Sequence, residues 1–301
     1  MGADAARNHA AARECFDRAS AVLGYDLLGL CERGDEDELR DTRVSQPAIF
    51  TANVAIYRAV ESLGFTPIVS AGHSFGEYCS LTIAGSIAFE QALALVNERG
   101  IAMGQAADLA PGSMAAIIGF EQTQVEDICA RARTQSGARV DVANLNAPVQ
   151  IVVSGDVAGV RAACDIARDE GAKRVVVLNV SGAWHSELMS PAIPLFTKHV
   201  ESASIGMPSF AVISNVDVVP YDSVERIRRC LIASLRARVR WHETAMALAS
   251  FGPDIIVECG ATRVLAPMMA RLPGVEAERV VHVADSAGVA KLAAAAQKMP
   301  A

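Results

Sequence analysis

Gly72-His73-Ser74-Phe75-Gly76-Glu77-Tyr78 follows directly on the apolar run Thr66-Pro67-Ile68-Val69-Ser70-Ala71. The run predicts a short buried strand, and Glu77 to Ala84 predicts a helix. G-x-S-x-G therefore stands at a strand-to-helix turn, where the serine sits in a tight, strained bend whose neighbours must be small. The helix that follows aims its free N–H groups and positive dipole end at the bend, which favours negative charge there. Ser74 is the candidate nucleophile, and the backbone N–H of Phe75 is a candidate oxyanion donor.

A serine hydroxyl is a poor nucleophile until a base takes its proton. Six histidines are available: His9, His73, His185, His199, His242 and His282. His73 adjoins Ser74 and cannot easily fold back on it. His185 lies in Val180-Ser181-Gly182-Ala183-Trp184-His185-Ser186, a Gly-containing loop just after a strand, and open α/β sheets place their sites at the carboxyl ends of strands. Spacing alone favours His185, with His242 as runner-up.

Outward from the turn, Gln46 to Leu63 carries apolar residues at helical spacing (Ile49, Val54, Ile56, Ala59, Val60, Leu63) and predicts a helix packed on a sheet. Met1 to about Leu30 predicts one or two helices, and Phe89 to Gly104 another. The character changes after Ala110-Pro111-Gly112. Residues 113–180 read strand, helix, strand, strand, helix, strand, the split βαβ order of a ferredoxin-like unit. Beyond it, strands at Phe210–Val216 and Ile255–Glu258 alternate with helices at Ser223–Leu235 and Glu243–Phe251. Alternation of this kind implies a mostly parallel sheet with helices on both faces.

The chain has 301 residues, of which 51 % are apolar and 20 % charged, enough for a sizeable core. No run of eighteen uncharged apolar residues occurs, so no membrane span is expected. The polar N-terminal stretch argues against a secretory signal. Seven cysteines without a CxxC pair or a His-rich cluster suit reduced thiols in the cytoplasm and no metal site. A net charge of −7 disfavours nucleic acid as a partner. Arg226, Arg228, Arg229, Arg236, Arg238 and Arg240 form a basic run. A helix face paired with nearby acids is the favoured reading, and a dock for an acidic partner is the alternative.

Gly72-His73-Ser74-Phe75-Gly76-Glu77-Tyr78 resembles the GHSxGE(Y) motif of malonyl-CoA:acyl carrier protein transacylases and of the acyltransferase domains of polyketide synthases. Ser181 to Met189 is similar to the family segment that holds the catalytic histidine. Asn97-Glu98-Arg99-Gly100 resembles the helix segment with the carboxylate-binding arginine. Asn144-Leu145-Asn146-Ala147-Pro148 and Ile213-Ser214-Asn215-Val216 also match. The resemblance runs along nearly the whole chain. It implies a hydrolase-like α/β domain formed by residues 1–112 and 181–301, interrupted by a ferredoxin-like α+β subdomain at 113–180.

The same resemblance implies a ping-pong transfer of malonyl from malonyl-CoA, through malonyl-Ser74, to the phosphopantetheine thiol of an acidic acyl carrier protein. His185 would be the base and Arg99 the clamp on the free carboxylate. Asn146 would bind substrate, and the Ser234 carbonyl would orient His185. Trp184, larger than the usual phenylalanine, would narrow the acyl pocket toward malonyl. No resident cofactor is implied, and a monomer is expected. Family members begin with a strand and a Gly-Gln-Gly loop that supplies a second oxyanion donor. Met1-Gly2-Ala3-Asp4 aligns just downstream of it, so one donor, the Phe75 N–H, is expected from this sequence, with a sheet edge exposed. A second departure is Leu231–Trp241, where Ser234 and Arg238 replace the usual Gln and Pro. The competing readings are an acyltransferase serving a polyketide synthase or malonate decarboxylase, a serine esterase or thioesterase, and an inactive carrier-binding module. Arg99 argues against a hydrolase of neutral esters, which has no need of a cation facing the acyl group.

Overall fold

The structure is a computed structural model that describes residues 1–34 and 36–296. The N-terminal part is helical: α1 (Ala3–Asn8), α2 (Ala10–Leu23), α3 (Leu27–Arg33), α4 (Glu36–Arg40) and the long α5 (Thr42–Glu61). Asp41 caps α5 by accepting from the Arg43 N–H at 2.9 Å. Then come β1 (Val69–Ser70), α6 (Gly76–Ile83) and α7 (Phe89–Leu109). The inserted unit comprises β2 (Gly112–Ile118), α8 (Gln122–Ser136), β3 (Val140–Ala147), β4 (Gln150–Asp156), α9 (Val157–Asp169) and β5 (Arg174–Val177). The chain closes with α10 (Ala192–Ser202), β6 (Ala211–Val212), α11 (Val224–Ala233), α12 (Trp241–Ala249), β7 (Ile256–Cys259), α13 (Ala266–Met269), β8 (Val280–Val283) and α14 (Ser286–Ala296).

The inserted unit forms an antiparallel sheet in the order β3-β4-β2-β5, the ferredoxin-like arrangement expected from its element order. It has its own core, in which Ile117, Val142 and Val153 meet Val125, Ile128 and Val160 from α8 and α9. The rest of the chain shares a larger core around Phe16, Phe50, Ile56, Tyr78, Leu93, Phe196 and Leu231. Helix α5 lies centrally in it, packed against α2, α6 and α7.

The strands of the larger part are parallel, as alternation with helices implied, but they form two separate pairs, β1 with β6 and β7 with β8. Between β1 and β7 lies an apolar cleft of about 640 Å³, lined on one side by residues 66–73 and on the other by residues 254–262. The strand expected at Phe210–Val216 narrows to two residues, followed by an isolated bridge between Ile213 and Pro220. No described helix is long and apolar enough to cross a membrane.

A pair of backbone hydrogen bonds joins the two units. Val239 donates its N–H to Ala143 and accepts from the Leu145 N–H, both at 2.8 Å. This fixes the segment after α11 on the edge strand β3, beside the nucleophile turn.

Candidate active site

Ser74 sits in the turn between β1 and α6 with φ +54°, and His185 sits in the loop after β5 with φ +57°. Left-handed backbone at a non-glycine residue carries strain that the surroundings must hold. Among the described residues the only other such position is Val218, so strain falls on the two residues chosen for chemistry. Gly72 makes the turn possible: a Cβ there would lie 2.0 Å from the Gly76 backbone. Gly76 differs from expectation, because a Cβ there would meet nothing within 4 Å.

Ser74 Oγ lies 2.8 Å from His185 Nε2. His185 Nδ1 lies 3.1 Å from the Ala237 carbonyl, so Nδ1 carries the proton and Nε2 is left to accept from the serine hydroxyl. The carbonyl expected in this place was that of Ser234. The hydrogen bond at 3.1 Å runs to Ala237, and the Ser234 carbonyl acts on the ring beside it, both favouring the charged form. The arrangement follows from the end of α11. Ser234, Arg236 and Ala237 turn back on its last residues, and the stitch at Val239 holds the Ala237 carbonyl, two residues earlier, toward the imidazole. Burial, then the Arg99 guanidinium, then His73, push the His185 pKa down to about 3. The ring is neutral at physiological pH and ready to take a proton.

Arg99, on the inner face of α7, is 1 % exposed. Its Nη1 donates to Gln46 Oε1 at 2.6 Å and its Nη2 to Ser74 Oγ at 3.3 Å. Its Nε has no partner. Burial lowers its pKa, opposed by Tyr78 and Glu77. A fully buried guanidinium held by a neutral amide, with a donor unused, fits a carboxylate brought by a ligand. Gln46 itself is fixed by donating to Thr42 Oγ1 at 2.7 Å.

The Phe75 N–H stands at the N-terminal end of α6 and has no protein acceptor among the described residues, as an oxyanion donor requires. Ser74, His185, Arg99 and Phe75 thus converge, as the sequence suggested. Nucleophile, neutral base, oxyanion donor and anion clamp around one hydroxyl can carry acyl transfer from an activated ester of a carboxylated acid.

An acyl transferase domain model matches residues 1–290. The chain belongs to the acyl transferase family. It is 38 % identical over 276 residues to a malonyl CoA-acyl carrier protein transacylase of Haemophilus influenzae, covering 91 % of this chain and 88 % of that protein. It superposes on the malonyl CoA-acyl carrier protein transacylase of Coxiella burnetii with a TM-score of 0.92 at 36 % identity, covering 98 % of this chain and 92 % of that one. It also superposes, at a TM-score of 0.89 and 37 % identity, on a malonyl-transacylase solved with its type II polyketide acyl-carrier protein, covering 97 % and 93 % of the chains.

The other expected residues of this acyl transferase lie around these groups. Asn146, expected to bind substrate, has its Oδ1 2.9 Å from His73 Nε2, with Asn144 Nδ2 at 3.3 Å from the same atom. Both asparagines belong to β3, so the inserted unit holds the residue next to the nucleophile. Trp184 is half-buried and lies over Gly182, where a Cβ would come within 2.5 Å of the indole. It packs with Met114, Ala143 and Val152 at the seam between the units, so any effect on acyl size acts through that seam. His242 is not part of the Ser74 pair. The basic run is largely neutralised: Arg226 pairs with Asp217 at 2.9 Å, Arg236 with Glu187 at 3.1 Å, Arg238 with Glu126 at 2.8 Å, and Arg240 with Glu243. Arg228 caps the carbonyls at the end of α10, and Arg229 is exposed. The favoured paired-face reading fits this. Among the described residues, no three His, Cys, Asp or Glu side chains are grouped to hold a metal ion.

Sequence reasoning missed Gln46 and Ala237, and gave Glu77 and Asn215 no role although both stand in the matched segments. Gln46 carried a signal, a polar residue on the apolar stripe of α5. Ala237 carried none, since only its backbone acts.

Proposed function

We propose that this chain is an acyl-carrier-protein S-malonyltransferase, moving malonyl from coenzyme A to the phosphopantetheine thiol of an acyl carrier protein. The observation that carries the malonyl assignment is Arg99, a buried guanidinium beside Ser74 Oγ without a carboxylate partner. Ser74 Oγ attacks the thioester carbonyl while His185 Nε2 takes the hydroxyl proton. The Phe75 N–H donates to the developing oxyanion. Collapse breaks the C–S bond, and His185 returns its proton to the departing thiolate. The carrier's thiol then gives its proton to His185, attacks the malonyl-serine ester, and the proton passes back to Ser74 as the C–O bond breaks. The guanidinium takes the malonyl carboxylate bidentately throughout.

Arg99 also sets the timing. An unpaired guanidinium disfavours the imidazolium that forms in the transition state. A bound carboxylate offsets that charge, so the acid that fits the clamp also makes the base easier to protonate. Malonyl-CoA should leave a malonyl group on Ser74 in intact-mass and peptide mapping. An unmodified Ser74, with adduct elsewhere or none, removes the proposal.

A further inference from the structure

We propose that Glu77 is a positioning residue for the nucleophile, acting through Asn215, whose side-chain amide ties the two shoulders of the Ser74 turn together. Asn215 Oδ1 accepts the Ser74 N–H at 3.0 Å, and Asn215 Nδ2 donates to the Gly72 carbonyl at 2.6 Å. One amide thus closes a ring across the turn and holds the strained φ at Ser74. Asn215 is itself held from α6: its backbone N–H donates to Glu77 Oε2 at 3.1 Å, and the Tyr221 hydroxyl donates to Glu77 Oε1. Glu77, Asn215 and Tyr221 are all buried, at 1 %, 2 % and 6 % exposure.

Two donors meet at Glu77, the Asn215 N–H and the Tyr221 hydroxyl, and a carboxylate accepts both in charge-assisted hydrogen bonds. A protonated carboxyl, or a glutamine amide, offers Asn215 only a neutral oxygen and requires the Tyr221 hydroxyl to turn and accept, which weakens the hold on Asn215. The proposal rests on the reading of Ser74 as the acylated residue and adds what aims it.

The groups facing Glu77 decide when it takes a proton. Burial raises its pKa to about 7, and Asp217 acts in the same direction. The Tyr221 hydroxyl, the Asn215 N–H and Arg99 oppose it, and Cys230 lies alongside. His185 is held far lower. A fall in Ser74 acylation as pH drops through neutrality therefore belongs to Glu77 and not to the catalytic base.

The test is single-turnover acylation of Ser74 by malonyl-CoA across pH in the wild type, Glu77→Gln, Tyr221→Phe and Asn215→Ala. The wild type is expected to lose rate below about pH 7. Glu77→Gln is expected to lose that limb and to acylate about 10- to 100-fold more slowly, as a misaimed nucleophile does. Tyr221→Phe, which removes a donor favouring the ionised form, moves the limb to higher pH. The KM for malonyl-CoA stays within about twofold in all variants, since none of them removes a hydrogen-bond partner of Arg99. A Glu77→Gln enzyme that keeps the wild-type limb, or variants that raise KM at unchanged rate, overturn the proposal. Tyr221→Phe keeps the test open should Asn215→Ala fail to fold, because an unmoved limb there also overturns it. Failure of the transferase reading looks different: the wild type itself is then not acylated at Ser74.

Discussion

Arg99 Nη1 reaches Gln46 Oε1 at 2.6 Å, so a buried cation is oriented by a group that does not neutralise it. The charge stays available to a ligand while the fork is aimed at the nucleophile. Removing it in Arg99→Ala deletes a charge-assisted pair worth about 1.5–3 kcal/mol. The expected result is a roughly 10- to 100-fold fall in kcat/KM for malonyl-CoA, with acetyl-CoA much less affected. Arg99→Lys should recover only part, since a point charge cannot make the bidentate pair. An unchanged malonyl-to-acetyl ratio in Arg99→Ala refutes the clamp.

The same contact gives a converse prediction. Gln46→Glu places a carboxylate where the amide oxygen lies and hands Arg99 an internal anion. The folded protein should melt no lower than the wild type, because the buried cation gains a partner. Its kcat/KM for malonyl-CoA should fall by about tenfold or more, because substrate must displace that partner. Thermal melts and steady-state kinetics on one preparation check both halves. Retained kcat/KM places the malonyl carboxylate elsewhere.

The parts of this site that were legible in the sequence are those whose chemistry needs a particular side chain in a particular local shape. Ser74 announces itself by the glycine at 72 and the strand and helix around it. His185 stands out by its loop, and from local residues alone His242 remained in play until the 2.8 Å contact excluded it. The inserted unit was legible because its strands of four to eight residues alternate clearly with amphipathic helices. The parallel strands were harder, since β1 and β6 have two residues each and two residues carry no period. Ala237 was out of reach. Its carbonyl reaches His185 through a turn and a stitch between units that no local pattern encodes. Asn146 is partly legible: a motif places it beside the site, while its partner, His73, is set by tertiary packing.

The two glycines of the turn should part company on substitution. A Cβ at Gly72 would drive into the Gly76 backbone, which cannot move without opening the turn. Gly72→Ala should therefore destabilise the fold by roughly 1–3 kcal/mol or more and abolish acylation of Ser74. Gly76→Ala meets open space at the first turn of α6, and its stability should stay within about 1 kcal/mol of wild type. Denaturant melts of the pair decide it, and equal losses would contradict the geometry of the turn.

His185 also links folding to pH, and the sign follows from its environment. The folded pKa is depressed to about 3 from an ordinary value of 6.5, chiefly by burial. Between these values the unfolded chain binds a proton that the folded chain refuses, so stability rises with pH across that window and is lost as pH falls through it. Replacing His185 with Gln keeps a polar side chain at the site and removes this titration. The variant should lose less stability than the wild type on acidification from pH 6.5, with the two curves parallel at higher pH. Glu77 works in the opposite sense. Its folded pKa is raised to about 7 from 4.5, so it withdraws stability as pH rises between those values. Between pH 4.5 and about 7 Glu77→Gln should therefore lose less stability with rising pH than the wild type, while His185→Gln loses less with falling pH between 6.5 and about 3. Urea denaturation at a series of pH values separates the two effects. Parallel curves for His185→Gln and wild type through the acid range would show that the folded site does not depress the imidazole pKa.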